Sequence, residues 1–311
     1  MGVLRMNEFI VSTDLYETSD ANVYTSYHLA RLLGKRPKLY YVDIVSPMID
    51  KIFHPSSIHT SYVTDSVWLK EFELTVLKKI SQQLGRLLLK KEDFDFDVFE
   101  GSVSEGIHNL KKNADFSLIS VGASDHSELY RLFFNTFTEK VFFNLGKETL
   151  VVKKKDNHFS NIYLLLNPQE NHGSKDRIIT RTAELIKKLK SKLHIICIAN
   201  AEFLGLSLEA FPDGLTPEEL QNKTTERLYE KTEEFLKQLE VRFNKEGIDV
   251  EHMAQVTLNE ESAPILNQIL QERTPDLVIM SPRSHFLGHF SLDSITHYMI
   301  KRNDCNFYLI P

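Results

Sequence analysis

The sequence contains only two cysteines and one tryptophan in 311 residues, and each scarcity narrows what the chain can be. Cys197 and Cys305 lie far apart and at no metal-ligand spacing, which excludes a thiolate metal site and fits a reducing cytoplasm. No apolar run approaches the roughly 18 residues of a membrane span. Met1 to Thr13 lacks the basic start and long apolar core of a signal peptide. Myristoylation at Gly2 is excluded because Met6 stands where that motif needs Ser or Thr. The net charge is -6, and neither half carries a basic excess, so nucleic acid is not an expected partner. The sequence has no phosphate-binding Gly-x4-Gly-Lys loop, Gly-x-Gly-x-x-Gly fingerprint or Gly-x-Ser-x-Gly elbow, and no nucleophile, base and orienting residue can be assembled. A dedicated enzyme is therefore not expected, and any ATPase activity would be weak.

What is present is ordinary globular material, 42% apolar, with a length that favours two domains. Glu8 to Thr13 reads as a strand followed by a polar turn at Asp14. Val23, Tyr27, Leu29, Ala30 and Leu33 recur at helical spacing, and Gly34 supplies a stop. Lys38 to Val45 reads as a second strand, and the proline-bearing stretch 46–65 as a surface excursion. Phe72, Val76, Ile80, Leu84 and Leu87 mark a long amphipathic helix. Phe94, Phe96 and Val98 alternate with Asp95 and Asp97, the pattern of a strand with one wet face near a sheet edge. Val103 to Lys112 reads as a short helix.

Phe116 to Val121 is a short apolar run closed by Gly122, as in a parallel strand covered on both faces. Thr136, with Glu139 three residues on, forms a capping box for a further helix, and Thr149 to Val152 reads as a strand. After the lysines 153–155 the same order of elements begins again, with a period of about 155 residues, which marks a duplicated domain. Thr216-Pro217-Glu218-Glu219 opens the longest helix, and Asn306 to Ile310 is the last strand.

Gly122 and Thr136 fit the Gly-x2-Gly-x9-Gly-(Ser/Thr) pattern that nucleotide-binding universal stress proteins carry between their fourth strand and fourth helix. Asp125 and Asn135 occupy the places of its second and third glycines. With Glu139, Lys140 and Val141 following, the chain resembles a tandem universal stress protein, and the likeness extends over nearly all of it. The resemblance implies an α/β fold of two open, parallel-sheet, Rossmann-like domains of the adenine nucleotide alpha hydrolase type, at 7–155 and 159–311. It also implies that Thr149 to Val152 and Asn306 to Ile310 pair within one molecule as a pseudo-dimer, and a homodimer of whole chains is compatible with it.

By that resemblance Asp14 and Val42 would hold an adenosine, while Gly122, Ser124, Asp125, Asn135 and Thr136 would surround its phosphates. ATP with Mg2+, or AMP, is the implied ligand. Asn135 can take the left-handed conformation that glycine would supply. A carboxylate at Asp125 about 4 Å from a phosphate oxygen would cost roughly 1 to 4 kcal/mol, which Mg2+ could offset. In the second half Asn167 stands where Asp14 does, and Ser281, Pro282, Ser284, Asp293 and Ser294 replace the phosphate loop, so that half is expected to be structural or to hold another ligand. His285, His289 and His297 lack a completing carboxylate and read as solvated histidines, not a zinc site. The expected role is a stress-responsive, nucleotide-binding module. The alternative is a nucleotide-free scaffold for partner proteins or an apolar ligand.

Overall fold

The computed structural model describes residues 8–43, 66–100, 103–113, 116–122, 146–168, 172–199, 216–256, 262–281 and 294–311. The chain divides into two compact units, Met1–Leu145 and Gly146–Pro311.

The first unit is built on β1 (Glu8–Thr13), α1 (Asp20–Leu32), β2 (Pro37–Asp43), α2 (Ser66–Arg86), β3 (Asp95–Glu100), α3 (Val103–Asn113) and β4 (Phe116–Gly122). β1 is central, with β2 on one side and β4 on the other, and β3 lies beyond β2; all these pairings are parallel. β1 reads EFIVST and is buried from Phe9 onward, as a strand covered on both faces must be. β3 takes the edge position that its alternating aspartates predict. Tyr40 packs with Ile10, Leu110, Phe116 and Ile119. Its hydroxyl donates to the Gly106 carbonyl at 2.9 Å, and burial pushes the phenol up to about 12.

Helix ends in this unit follow backbone sterics. α1 stops where Gly34 adopts φ 67°, with the Lys35 amide returning to the Ala30 carbonyl at 2.8 Å. α2 ends in the same hydrogen-bonded turn, but the left-handed position is filled by Leu88 at φ 56°. Leu88 is 92% exposed, so its side chain returns little packing for that conformation.

The second unit contains β5 (Glu148–Val152), β6 (Asn161–Leu166), α4 (His172–Leu189), β7 (Lys192–Ala199), α5 (Pro217–Lys245), β8 (Val250–Val256), α6 (Ser262–Arg273), β9 (Leu277–Met280), α7 (Ser294–Arg302) and β10 (Asn306–Leu309). Its parallel strands run in the order β8, β7, β6, β9, β10. α5 starts with the expected capping box: the Thr216 hydroxyl accepts from the Glu219 amide, and the Glu219 carboxylate accepts from the Thr216 amide. α4 begins at His172, earlier than its apolar stripe suggests, because that stripe starts only at Ile178.

β5 completes this sheet by pairing antiparallel with β10, Val151 opposite Phe307, which is the pairing the resemblance implied. The strand therefore packs in the same compact unit as β10, although the repeat pattern groups it with the first half. Three side chains clamp it. The Arg181 guanidinium of α4 meets both Glu148 oxygens, at 2.5 and 2.8 Å, and the Tyr308 hydroxyl donates to Glu148 at 2.5 Å. Burial and the Glu148 charge push the Tyr308 phenol far above its ordinary value. Asn306 extends the clamp by accepting from the Lys153 and Lys154 amides, and the Lys153 ammonium donates to the Ile300 carbonyl.

Three outcomes are expected. Leu88→Gly should stabilise the protein by roughly 0.5 to 1 kcal/mol in urea unfolding, since it removes the left-handed steric cost and almost no packing. Glu148→Gln should destabilise by about 2 kcal/mol, because it removes the buried carboxylate that Arg181 meets twice and leaves that guanidinium only the exposed Glu184. Tyr308→Phe should cost about 1 kcal/mol. Equal melting temperatures for wild type and Glu148→Gln would show that the clamp contributes nothing.

Candidate functional site

Strand order reverses at β1: the chain steps outward to β2 and β3, then returns to place β4 on the other side. Open α/β sheets bind ligands beyond the carboxyl ends of the strands at such a reversal. Register brings residues of the first unit together there. Thr13 pairs with Tyr41, and Val11 pairs with Ser120, so Gly122 continues to the level of Thr13. Asp14 and Val42 are one residue further on. Three of the seven candidate residues, Asp14, Val42 and Gly122, thus share the carboxyl edge of adjacent strands. Ser124, Asp125, Asn135 and Thr136 lie outside the described residues.

Asp14 is half-buried, and its Oδ1 accepts from the Tyr16 amide at 2.9 Å, a local turn that fixes the carboxylate. Leu15 follows with φ 65°, a conformation that costs a non-glycine residue energy and persists only where surrounding contacts impose it. Those contacts are polar and buried. The Leu15 amide donates to the Thr13 hydroxyl at 3.0 Å, and that hydroxyl contacts Ser19 Oγ at 2.9 Å and Gln83 Oε1 at 3.0 Å. Gln83 comes from α2, and its Nε2 donates to Ser19 Oγ and to Asp20 Oδ1, both at 2.9 Å. Arg86, one turn along α2, donates twice to the Asp20 carboxylate. Asn22 of α1 donates to the Ser12 carbonyl at 2.7 Å and so ties the helix to the strand.

Motif spacing did not reveal these partners. Gln83 sits inside the apolar stripe of α2, and Asn22, Thr25 and Ser26 sit inside that of α1; all four are fully buried. A polar residue on an otherwise apolar face is the signal that marks such partners.

The second unit repeats the reversal at β6 and β9 with different chemistry. Asn167 follows β6 as Asp14 follows β1, and Ser281 follows β9. The Ser281 carbonyl accepts from the Thr296 hydroxyl of α7 at 3.2 Å. Lys175, near the start of α4, donates to the Pro168 carbonyl at 2.7 Å and lies over the Phe235 ring. Pro282, Ser284, Asp293, His285 and His289 lie outside the described residues. Among the described residues no group of His, Cys, Asp and Glu is arranged to hold a metal, and no helix is long and apolar enough to cross a membrane. Both thiols are buried, and burial raises them, Cys305 to about 12, which keeps them protonated and unreactive.

Residues 168–311 match the sequence profile of the universal stress protein family. The second unit belongs to the universal stress protein family. A universal stress protein from Archaeoglobus fulgidus DSM 4304 superposes with TM-score 0.61 at 16% identity, over 98% of this chain and 98% of that one. A functionally unknown protein from Pseudomonas aeruginosa PAO1 superposes with TM-score 0.57 at 10% identity, over 98% of this chain and 92% of that one. At such identities the likeness is one of fold. No curated protein matches the sequence. The chain therefore has the architecture of a tandem universal stress protein, with one Rossmann-like unit in each half.

Asn22 holds α1 to β1 by donating to the Ser12 carbonyl, and it also accepts from the Ser26 hydroxyl. Asn22→Ala should lower stability by about 1 to 3 kcal/mol in urea unfolding, the cost of stranding a buried acceptor. An unchanged midpoint would refute that role.

Proposed function

We propose that the first universal stress protein unit binds an adenine nucleotide, ATP with Mg2+ or AMP, and that the chain is a stress-responsive binding module of the cytoplasm. The observation that carries this reading is the placement of Asp14 beside the carboxyl ends of β2 and β4, at the reversal of strand order, with Val42 and Gly122 on the same edge. A carboxylate there suits the ribose hydroxyls, and Gly122 allows the backbone to approach a phosphate closely. In this reading Ser124, Asn135 and Thr136 complete the phosphate contacts, and Mg2+ offsets the charge of Asp125. The second unit, with Asn167 in place of the aspartate, serves as a structural half.

Titrating the purified chain with Mg-ATP and with AMP in a calorimeter tests the proposal. Saturable heat is expected, and Asp14→Ala should weaken binding by about tenfold or more, the worth of a charge-assisted hydrogen bond. Absence of heat and of any thermal shift with either nucleotide would leave the alternative, a nucleotide-free scaffold.

A further inference from the structure

The polar contacts among Thr13, Ser19 and Gln83 close into a ring, and the donor inventory fixes the orientation of the Gln83 amide within it. Gln83 Nε2 faces the Asp20 carboxylate and the Tyr16 carbonyl, both acceptors only, so the amide nitrogen must lie on that side and Oε1 must face Thr13. The single hydrogen of Thr13 then goes to Gln83 Oε1 at 3.0 Å, Gln83 donates to Ser19 Oγ at 2.9 Å, and the single hydrogen of Ser19 is shared between Thr13 Oγ1 at 2.9 Å and the Tyr16 carbonyl at 3.0 Å. Bonds linked in this way polarise one another. The remaining lone pair of Thr13 accepts the Leu15 amide, and the remaining hydrogen of Gln83 reaches Asp20. Thr13 is 2% exposed, Ser19 4% and Gln83 0%, so water cannot replace any member.

What the ring holds is the turn Asp14–Tyr16, where Leu15 keeps a left-handed backbone without being glycine. An apolar contact could hold such a turn in place, but only a directional bond fixes the orientation of its amides. We infer that Gln83 is a positioning residue for the ligand site: through Thr13 and Ser19 it sets the backbone of the Asp14 turn and so aims the carboxylate. α2, which supplies no candidate ligand contact itself, thereby becomes part of the site. The sense in which this serves binding rests on the nucleotide reading above; the ring's hold on the turn does not.

The test uses the full chain and two readouts. Gln83→Met keeps the shape and removes every hydrogen bond, Thr13→Val removes the ring hydroxyl, and Thr13→Ser keeps it. Ile80→Val, one turn away on α2 and outside the ring, serves as a control for general loosening of the helix. Hydrogen exchange at the Leu15 and Tyr16 amides should accelerate about tenfold or more in Gln83→Met and Thr13→Val, return towards wild type in Thr13→Ser, and stay unchanged in Ile80→Val. Affinity for Mg-ATP should fall about tenfold in the same two variants only. Unchanged exchange in Gln83→Met, or an equal acceleration in Ile80→Val, overturns the inference. So does wild-type affinity in Gln83→Met where the wild type binds. A wild type that binds no nucleotide sinks the proposed ligand alone, and exchange still decides the ring.

Discussion

The reversal of strand order within each parallel sheet governs most of this molecule. β1 leads outward to β2 and β3, and β4 then joins on the far side of β1; right-handed crossovers running in opposite directions place their connections on opposite faces of a sheet. Connections leaving adjacent strands on either side of such a reversal diverge, and the space between them opens beyond the carboxyl ends. The second unit repeats the arrangement at β6 and β9. Topology thus puts a crevice at the same place in both units, and the residue that follows the central strand there is Asp14 in one and Asn167 in the other. A carboxylate and an amide of the same size at that point differ in charge and in donor capacity, so one fold can carry two different roles in its two halves.

Around the first reversal the interior is polar by design of sequence. Each buried bond there adds only about 1 kcal/mol net, so the Thr13, Ser19, Gln83 and Asn22 contacts are a poor route to stability alone. Their value is direction. Apolar packing of Val23, Tyr27, Ile80 and Leu84 would hold α1 and α2 against the sheet in several nearly equivalent ways, whereas hydrogen bonds of fixed geometry select one.

Much of the fold could be read before any coordinates. Continuous apolar strands such as Phe9 to Val11 and Leu277 to Met280, the edge pattern of β3, and the capping box at Thr216 each carry a local signal strong enough to stand alone. Helix starts without a cap were weaker: in α4 the segment from His172 has no apolar periodicity until Ile178. The site was legible only as far as strand ends, because Asp14 and Gly122 are announced by turns. Gln83 is marked only by its place in the apolar stripe of α2, which signals burial without naming partners, and those lie roughly sixty to seventy residues earlier in the chain. The compact unit to which β5 belongs was likewise invisible in the repeat, because pairing, and not sequence proximity, sets where a strand packs.

The β5 strand separates the boundary of the repeat from the boundary of the folding unit. A gene cut at the lysine linker would deliver a second half whose β10 edge is bare, with the Tyr308 hydroxyl and the Arg181 guanidinium facing the place where Glu148 had been. Duplication of a gene copies whole repeats, yet this copy can be excised intact only with the tail of its predecessor attached. A break after β5 strips β10 of its antiparallel neighbour, whereas a break before it keeps the two strands together.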